Sequence, residues 1–166
     1  MKKRPRVTRA RLRKMLHYDR DTGEFRWLEC VNRSIQPGDI AGTQDSRGYR
    51  KIMINGRICS AHHLAWFYVK GKWCRLMIDH RDGDPSNNRW KNLRPATSSQ
   101  NCANRRIPRH NKCGLKGVSL HRGKWYATIG LKGRKHFLGY FETPAEAHAA
   151  YAKAARKLFG KFARTE

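Results

Sequence analysis

The sequence predicts an α+β protein built from two small units rather than one large domain. Short strand-like stretches alternate with helix patterns along the 166 residues. Only 39% of the residues are hydrophobic, which leaves little for a single large core. The basic segment 103–116 is poor in apolar residues and carries Pro108 and Gly114, which is typical of a linker. The predicted division is therefore residues 1–102, a linker at 103–116, and residues 117–166.

The charge of the chain indicates a polyanionic partner. The 37 Lys and Arg residues against 12 Asp and Glu residues give a formal net charge of +25, far more than solubility requires. Nucleic acid is the expected partner. An anionic membrane surface is the alternative, but it would need a long apolar span, a lipidation motif or a basic amphipathic helix. The sequence offers little of this, so we expect no membrane partner.

The cysteines favour neither a disulfide framework nor a zinc ribbon. The five of them are widely spaced and none forms a CxxC pair, so each is expected to be a small buried side chain or an idle thiol. No apolar stretch follows the basic N-terminus as it would in a secretory signal. We therefore expect a reducing compartment.

The first predicted elements are a helix and a strand. Thr8 can cap a helix that ends near Tyr18 and has apolar residues on one face. After a turn, residues 24–28 alternate in polarity like a strand.

A β-hairpin and a helix follow. Residues 49–54 and 57–61 are β-prone and are joined by Asn55-Gly56, the pair that a type I′ turn prefers. Residues 62–70 are rich in apolar side chains and predict a helix that stops at Gly71. A short strand at 75–79 then leads into a polar loop, residues 81–89.

The last part of the chain predicts three strands and one helix. Residues 117–120, 124–131 and 134–141 are β-prone and separated by glycine turns. Thr143-Pro144-Ala145-Glu146 has the order of a helix cap, an N1 proline and a capping-box glutamate, and Gly160 marks the helix end.

A small group of carboxylates stands out in this basic chain. Asp79, Asp82 and Asp84 surround His80, and no Asp or Glu occurs from residue 85 through 141. Such a group favours a bound cation. The alternative is that the aspartates only cap turns, which we expect for Asp82 and Asp84.

An ordered motif starts at this group and consists of Asp79-His80, Asn87-Asn88, Asn92-Leu93-Arg94 and Asn101. It resembles the HNH nuclease family of phage and intron-encoded homing endonucleases, and the similarity extends over nearly all of residues 8–105. Several short motifs in this order are more specific than any one of them alone.

The resemblance implies a ββα-metal nuclease unit, in which a strand ends at Asp79-His80 and a helix from about Ser98 carries Asn101. His80 would activate the attacking water, because an unperturbed pKa of about 6.5 lets histidine accept a proton near neutrality. Asn92 would brace the loop and orient His80.

The same resemblance implies one Mg²⁺ or Mn²⁺ ion bound by the oxygen atoms of Asp79 and Asn101, and products with 5′-phosphate and 3′-hydroxyl ends. Many HNH nucleases carry histidine where this chain has Asn101, but an amide oxygen also binds Mg²⁺. His62 and His63 could reach the site, although a histidine at a helix start more often packs or caps.

Residues 117 to about 163 resemble the AP2 DNA-binding domain through Gly117-Val118, Gly123-Lys124-Trp125, the run 137–141 and the helix start at Thr143. The resemblance implies three antiparallel strands in the major groove of DNA, backed by one helix. Alternation directs Trp125 and Ala127 toward the helix and Lys124 and Tyr126 toward the other face. An ordinary solvated sheet face is the alternative.

The residues assigned to DNA contact come from both parts of the chain. From the first part and the linker they are Arg94, Arg105 and Arg106, where Arg94 contacts either phosphate or its own loop. From the sheet they are Ser119, His121, Arg122, Lys124, Tyr126, Thr128, Lys135 and Phe137. Ser119 and Gly130 stand where plant AP2 domains carry arginine, so no target sequence is inferred.

Together the two resemblances imply a metal-dependent, site-directed endonuclease acting on double-stranded DNA, of the phage homing type. A monomer or weak dimer is expected, because one site nicks one strand. If the gene is carried by a phage, the protein works in the bacterial host cytoplasm. The alternative is a non-catalytic DNA-binding regulator; an RNA-binding protein is disfavoured because no RNA-binding motif is present.

Overall fold

A computed structural model describes residues 6–107, 111 and 113–166 of the chain. The chain forms two compact units, the first ending at Pro95 and the second beginning at Ala96. Each unit has a hydrophobic core of its own. This agrees with the α+β class of small sheets and short helices that the sequence predicts.

The first unit contains two helices and seven strands in its described part. In order they are α1 (Arg9–Met15), β1 (Leu16–Tyr18), β2 (Phe25–Trp27), β3 (Thr43–Gln44), β4 (Arg50–Ile54), β5 (Arg57–Ser60), α2 (Ala61–Lys70), β6 (Met77–His80) and β7 (Leu93–Ala96), with a 3-10 turn at Trp90–Asn92. All sheets are small: β1 pairs with β2, β3 and β5 flank β4, and β6 pairs with β7.

The predicted first helix is too long. It begins after the Thr8 cap as expected, but it ends at Met15, and residues 16–18 form β1. Leu16 and Tyr18 are buried while His17 between them is exposed, which is the alternation of a strand. Antiparallel pairing of Leu16 with Trp27 supplies the hydrogen bonds that a further helical turn would have made. The short strand β3 was also not predicted.

The predicted hairpin and second helix are confirmed. Ile54 pairs with Arg57 across the two-residue turn at Asn55 and Gly56, and α2 follows directly from β5. Arg9 of α1 donates from Nε to the Tyr68 carbonyl oxygen, at 2.9 Å. It therefore satisfies a carbonyl that has no partner within the last turn of α2.

The second unit contains α3 (Ser98–Ala103), β8 (Val118–His121), β9 (Lys124–Leu131), β10 (Arg134–Phe141) and α4 (Pro144–Phe159), followed by a 3-10 turn at Gly160–Phe162. The three strands form one antiparallel sheet with β9 in the centre. Ala147, Tyr151 and Ala155 of α4 are buried in the core that the helix shares with the sheet. The Thr143 and Glu146 capping box is present, so the predicted three strands and helix are confirmed.

The units divide at residue 95/96, earlier than the linker that the sequence suggests. Helix α3 belongs to the second unit because Ala103 is buried in its core and Ser99 accepts a hydrogen bond from the backbone of Lys132. Nζ of Lys116 donates to the carbonyl oxygens of Ala103 and Arg105. Much of segment 103–116 is therefore held in the unit; residues 108–110 and 112 lie outside the described residues.

Within the part of the chain that the structure describes, no helix is both long and apolar enough to cross a membrane.

We predict that Gly117→Ala destabilises the second unit. Gly117 has a φ of +76°, and an added Cβ would lie 2.1 Å from Cδ2 of the buried Tyr151 ring. We expect a loss of more than about 1 kcal/mol in the free energy of unfolding, measured by urea denaturation. Gly133→Ala is the matched control, since Gly133 has a φ of +78° but open space around it. Equal losses in both variants would contradict the steric explanation.

Candidate functional site

Asp79 and His80 end strand β6 and are both buried. Their exposed fractions are 4% and 5%, and Ile78 before them belongs to the core of the first unit. The strand that anchors the two side chains is therefore fixed by the core. Two polar, ionisable groups are removed from water side by side, which is costly unless each finds a partner.

Arg94 on β7 is the partner of Asp79. Its Nε donates to Oδ2 of Asp79 at 2.8 Å, and both side chains are buried. From the sequence, Arg94 is expected to contact phosphate or its own loop. The structure directs its Nε at the carboxylate, where a positive charge compensates the buried negative one, and a DNA contact of Arg94 stays a prediction.

The imidazole of His80 is held by Asn88. The Nε2 of His80 lies 3.2 Å from Oδ1 of Asn88, while Nδ2 of Asn88 donates to the Ser86 carbonyl oxygen at 3.0 Å. The bond to Ser86 fixes which end of the amide faces the ring. Because the amide oxygen can only accept, the proton of a neutral His80 lies on Nε2, and Nδ1 carries the lone pair.

Burial lowers the pKa of His80 from its usual value of 6.5. The hydrogen bond that His80 donates to Asn88 and the charges of Asp82, Asp79 and Asp84 raise the pKa but do not offset the effect of burial. The lowered pKa favours the neutral imidazole, which is the form that accepts a proton.

The loop after β6 is braced by side-chain amides. Asn92 Nδ2 donates to Asp82 Oδ1 at 2.9 Å and to the Asn87 carbonyl oxygen at 2.8 Å. Asn92 Oδ1 accepts from the backbone N–H of Asp82. Asn92 therefore lies at the centre of the loop, where the sequence analysis expected it, and its catalytic role stays a prediction. The hydrogen-bond partner of His80 is Asn88, whose Oδ1 accepts from Nε2; the sequence motif did not indicate this role.

Asp82 and Asp84 cap turns, as expected. Asp82 Oδ1 also accepts from the backbone of Asp84, and Asp84 Oδ1 accepts from the backbone and hydroxyl of Ser86. Burial would raise the pKa of Asp82, but the backbone bond from Asp84 and the amides of Asn92 and Asn87 together lower it.

His62 lies beside His80. It is 7% exposed, and the two rings meet edge to face with centroids 5.0 Å apart. Burial, followed by the charges of His63, His80 and Lys51, lowers the pKa of His62 well below 6.5. The lowered pKa favours the neutral ring, which packs against His80. This agrees with the expectation that a histidine at a helix start packs or caps.

Asn101 lies on α3 in the second unit and is half-buried. Its assignment as a metal ligand stays a prediction. Among the residues that the structure describes, no group of three or more His, Cys, Asp or Glu side chains could hold a metal ion.

In the second unit, most of the residues predicted to contact DNA share one face of the sheet. The register pairs Ser119 with Tyr126, His121 with Lys124, and Thr128 with Phe137, so these side chains point to the same side. Lys135 pairs with Gly130 on that side. The opposite side carries Trp125, Ala127, Ile129 and Leu131, which pack in the core.

Tyr140 was missing from the predicted face. Strict alternation along β10 puts Tyr140 on the opposite side from Phe137, but the register shifts between Phe137 and Gly139. This β-bulge brings both rings to the same side, with centroids 5.0 Å apart, and Tyr126 completes an aromatic cluster. The isolated Gly139 inside a strand is the sequence signal that could have indicated the bulge.

Cationic side chains surround this cluster. Tyr140 lines a pocket of about 260 Å³ together with His121, Arg122 and Lys124. Arg105 and Arg106, also predicted to contact DNA, are exposed after α3. The arrangement combines an aromatic centre with positive charge at its border.

Comparisons with known proteins match the first-unit motif. A model of the HNH endonuclease family matches residues 59–103. Protein 3.8 of Escherichia phage T7 is 37% identical over 89 residues, which cover 52% of this chain and 73% of the phage protein. The uncharacterized HNH endonuclease L560 of Acanthamoeba polyphaga mimivirus is 34% identical over 88 residues, which cover 53% of this chain and 46% of the viral protein.

A plant protein also matches. Dehydration-responsive element-binding protein 2A of Oryza sativa is 42% identical over 60 residues, which cover 34% of this chain and 22% of the plant protein. The chain thus spans less than half of the mimivirus protein and less than a quarter of the plant protein. The phage protein is matched over most of its length, and the family model covers the segment that carries Asp79, His80, Asn92 and Asn101. The chain therefore carries an HNH endonuclease domain at residues 59–103 and is a DNA endonuclease, a hydrolase.

Proposed function

We propose that this chain is a metal-dependent, site-directed endonuclease that hydrolyses one phosphodiester bond of double-stranded DNA at the centre formed by Asp79 and His80. The observation that carries the proposal is the buried His80 ring, whose Nε2 is bonded to Asn88. A fixed neutral imidazole at the end of a core strand is a proton acceptor with one defined orientation.

His80 accepts the proton of the attacking water at Nδ1, since Nε2 keeps its own proton in the bond to Asn88. The water attacks phosphorus, the bond to the 3′ oxygen breaks, and the products carry 5′-phosphate and 3′-hydroxyl ends. Asn92 supports this step indirectly, because it holds the loop that carries Asn88.

The donor set fits a hard divalent cation. HNH nucleases generally use such an ion, and Mg²⁺ is commonly bound through one or two protein oxygen ligands with water completing its shell. The carboxylate of Asp79 would hold one Mg²⁺ or Mn²⁺ together with water ligands, and Asn101 stays a metal ligand only as the resemblance of the sequence motif implies. When bound, the ion would polarise the scissile phosphate and stabilise the charge on the leaving 3′ oxygen. Arg94 keeps the Asp79 carboxylate oriented through its 2.8 Å bond.

The second unit would bring this centre to its sites on DNA. Three antiparallel strands backed by one helix support the AP2-like assignment, as does the similarity to a plant protein whose name describes binding to a DNA element. Basic side chains at the border of the face would contact phosphates, and the aromatic cluster would contact base edges. We add Tyr140 to the predicted contacts, since its ring is 57% exposed beside Phe137.

A phage origin and a homing role extend this proposal. The T7 relative supports a phage origin, and a site-directed nuclease encoded by a phage would act in the cytoplasm of the bacterial host. With one nuclease centre in each chain, a monomer would nick one strand, and a double-strand break would need a weak dimer or a second event.

We predict that His80→Ala abolishes DNA cleavage while the wild type nicks supercoiled plasmid with Mg²⁺ or Mn²⁺ and not with EDTA. Loss of the base should lower the rate by at least about 10²-fold. The measurement is the amount of nicked and linear plasmid, repeated on DNA that the protein itself selects from a random pool. Selected DNA that the wild type binds but never cuts would favour the non-catalytic regulator.

We predict that Asp79→Asn weakens Mn²⁺ binding by more than about 10-fold, since even groups that only support metal ligands contribute that much. Binding is followed by electron paramagnetic resonance of free Mn²⁺. Asp84→Asn is the control, because the Asp84 carboxylate is bonded to Ser86. Equal weakening in the control would argue against the assigned ligand.

We predict that the two kinds of side chain on the sheet act differently in DNA binding. Lys124→Ala and Lys135→Ala should each reduce the salt dependence of the affinity by about one phosphate contact, whereas Phe137→Ala and Tyr140→Ala should weaken binding without that change. Fluorescence anisotropy over a range of salt concentrations measures both. Lys153→Ala, on the exposed side of α4, should leave affinity and salt dependence unchanged; an effect equal to that of Lys124→Ala would contradict the assigned face.

A further inference from the structure

The N-terminal hairpin of β1 and β2 contacts the loop that contains Asn88, the hydrogen-bond partner of His80. Tyr18, the last residue of β1, is 3% exposed, and its hydroxyl donates to the Asn88 carbonyl oxygen at 2.6 Å. The backbone N–H of Trp90 donates to the Arg20 carbonyl oxygen at 2.9 Å. Two hydrogen bonds, one on each side of Arg89, therefore join the hairpin to this segment.

The turn of the hairpin is in direct backbone contact with the same segment. Gly23 has a φ of +79°, and an added Cβ would lie 2.4 Å from the backbone N of Arg89 and 2.5 Å from the carbonyl carbon of Asn88. The turn is itself held by Asp19, whose Oδ1 accepts from the backbone of Asp21 and Thr22. The turn at residues 19–24 therefore packs closely against the backbone of Asn88.

Asn88 connects the hairpin to His80, because its side chain is bonded to the imidazole. Its side chain is 2% exposed and bonds to the Nε2 of His80 with one end and to the Ser86 carbonyl oxygen with the other. The hydrogen bond from Tyr18 is made to the backbone of the same residue. A shift of the Asn88 backbone would move the amide oxygen away from the imidazole, and a bond of 3.2 Å weakens with little displacement.

We propose that Tyr18 and the turn at residues 19–24 are positioning elements of the nuclease centre, holding Asn88 so that its amide fixes the orientation and tautomer of His80. The inference rests on the proposed role of His80 as the base. It assigns a function to a segment that precedes the matched family segment, which begins at residue 59.

The ring and the hydroxyl of Tyr18 have separable roles. The ring stacks on Phe25, with centroids 4.6 Å apart, and meets Tyr68 at its edge, so it contributes to the core. The hydroxyl makes the bond to Asn88. Burial raises the pKa of this hydroxyl, so it remains a donor throughout the working pH range. Removing only the hydroxyl tests positioning and leaves the packing in place.

The experiment compares Tyr18→Phe, Asn88→Ala and the double variant in full-length protein, using DNA selected by the protein itself. We expect Tyr18→Phe to lower kcat by about 10-fold, as loss of a group that supports a reacting residue commonly does, with KM and DNA affinity unchanged. The double variant should be no slower than Asn88→Ala alone, because both changes interrupt one chain of contacts. Tyr68→Phe is the matched control and should keep wild-type kcat.

A second measurement does not depend on cleavage. The ¹⁵N chemical shifts of His80 report which ring nitrogen carries the proton, and the Nε2–H form should dominate in the wild type and in Tyr68→Phe but not in Tyr18→Phe. If Tyr18→Phe does not fold, Gly23→Ala displaces the Asn88 backbone with the hydroxyl intact, and the same loss of kcat is expected.

An unchanged kcat and tautomer in Tyr18→Phe, or additive losses in the double variant, would overturn the positioning role. This result differs from failure of the proposed function. If the wild type and His80→Ala cut equally well, the role of His80 itself is wrong; if His80→Ala is inactive and Tyr18→Phe is like the wild type, only the role of Tyr18 is wrong.

Discussion

The proposed nuclease centre is organised by the burial of a carboxylate and an imidazole next to each other at the end of one strand. Asp79 and His80 leave water when β6 enters the core, and such groups are tolerated only with partners. Arg94 on the paired strand and Asn88 in the loop supply them. Among the described residues, no buried side-chain nitrogen or oxygen lacks a hydrogen-bond partner. The many Asn and Asp residues of the loop follow from this requirement, because short polar side chains bond to nearby backbone.

The geometry of the site also depends on residues outside the matched motif. The family model matches residues 59–103, yet the segment 88–90 is bonded to Tyr18 and Arg20 of the N-terminal hairpin. Phe25 precedes the matched segment and Leu64 lies within it, and both side chains pack in the same hydrophobic core. The hairpin and the loop are therefore joined by direct contacts, through which packing of the hairpin would influence the geometry of the proposed site.

Charge and shape have different roles in the second unit. In the proposed DNA-binding role, Lys and Arg at the border of the sheet would provide attraction to phosphate that does not depend on sequence. The centre of the face is formed by Tyr126, Phe137 and Tyr140, whose rings contact one another. The bulge in β10 creates this centre, because it changes which side chains share a face. An attractive border around an aromatic centre suits a surface that first binds DNA and then discriminates among sites.

Elements with strong local signals can be predicted from the amino-acid sequence. The Asn55-Gly56 hairpin, the Thr143 capping box and the strands of the second unit depend on residues close together in the chain, and the ordered motif at residues 79–101 was sufficient to indicate the nuclease family. Tertiary structure alone decided the pairing of Arg94 with Asp79, the bond between Asn88 and His80, the end of α1 at Met15 and the place of α3 in the second unit. These features depend on burial and on contacts between residues distant in sequence, or on competition between local and cross-strand hydrogen bonds. The spacing and polarity of residues along the chain do not show which of the competing contacts forms.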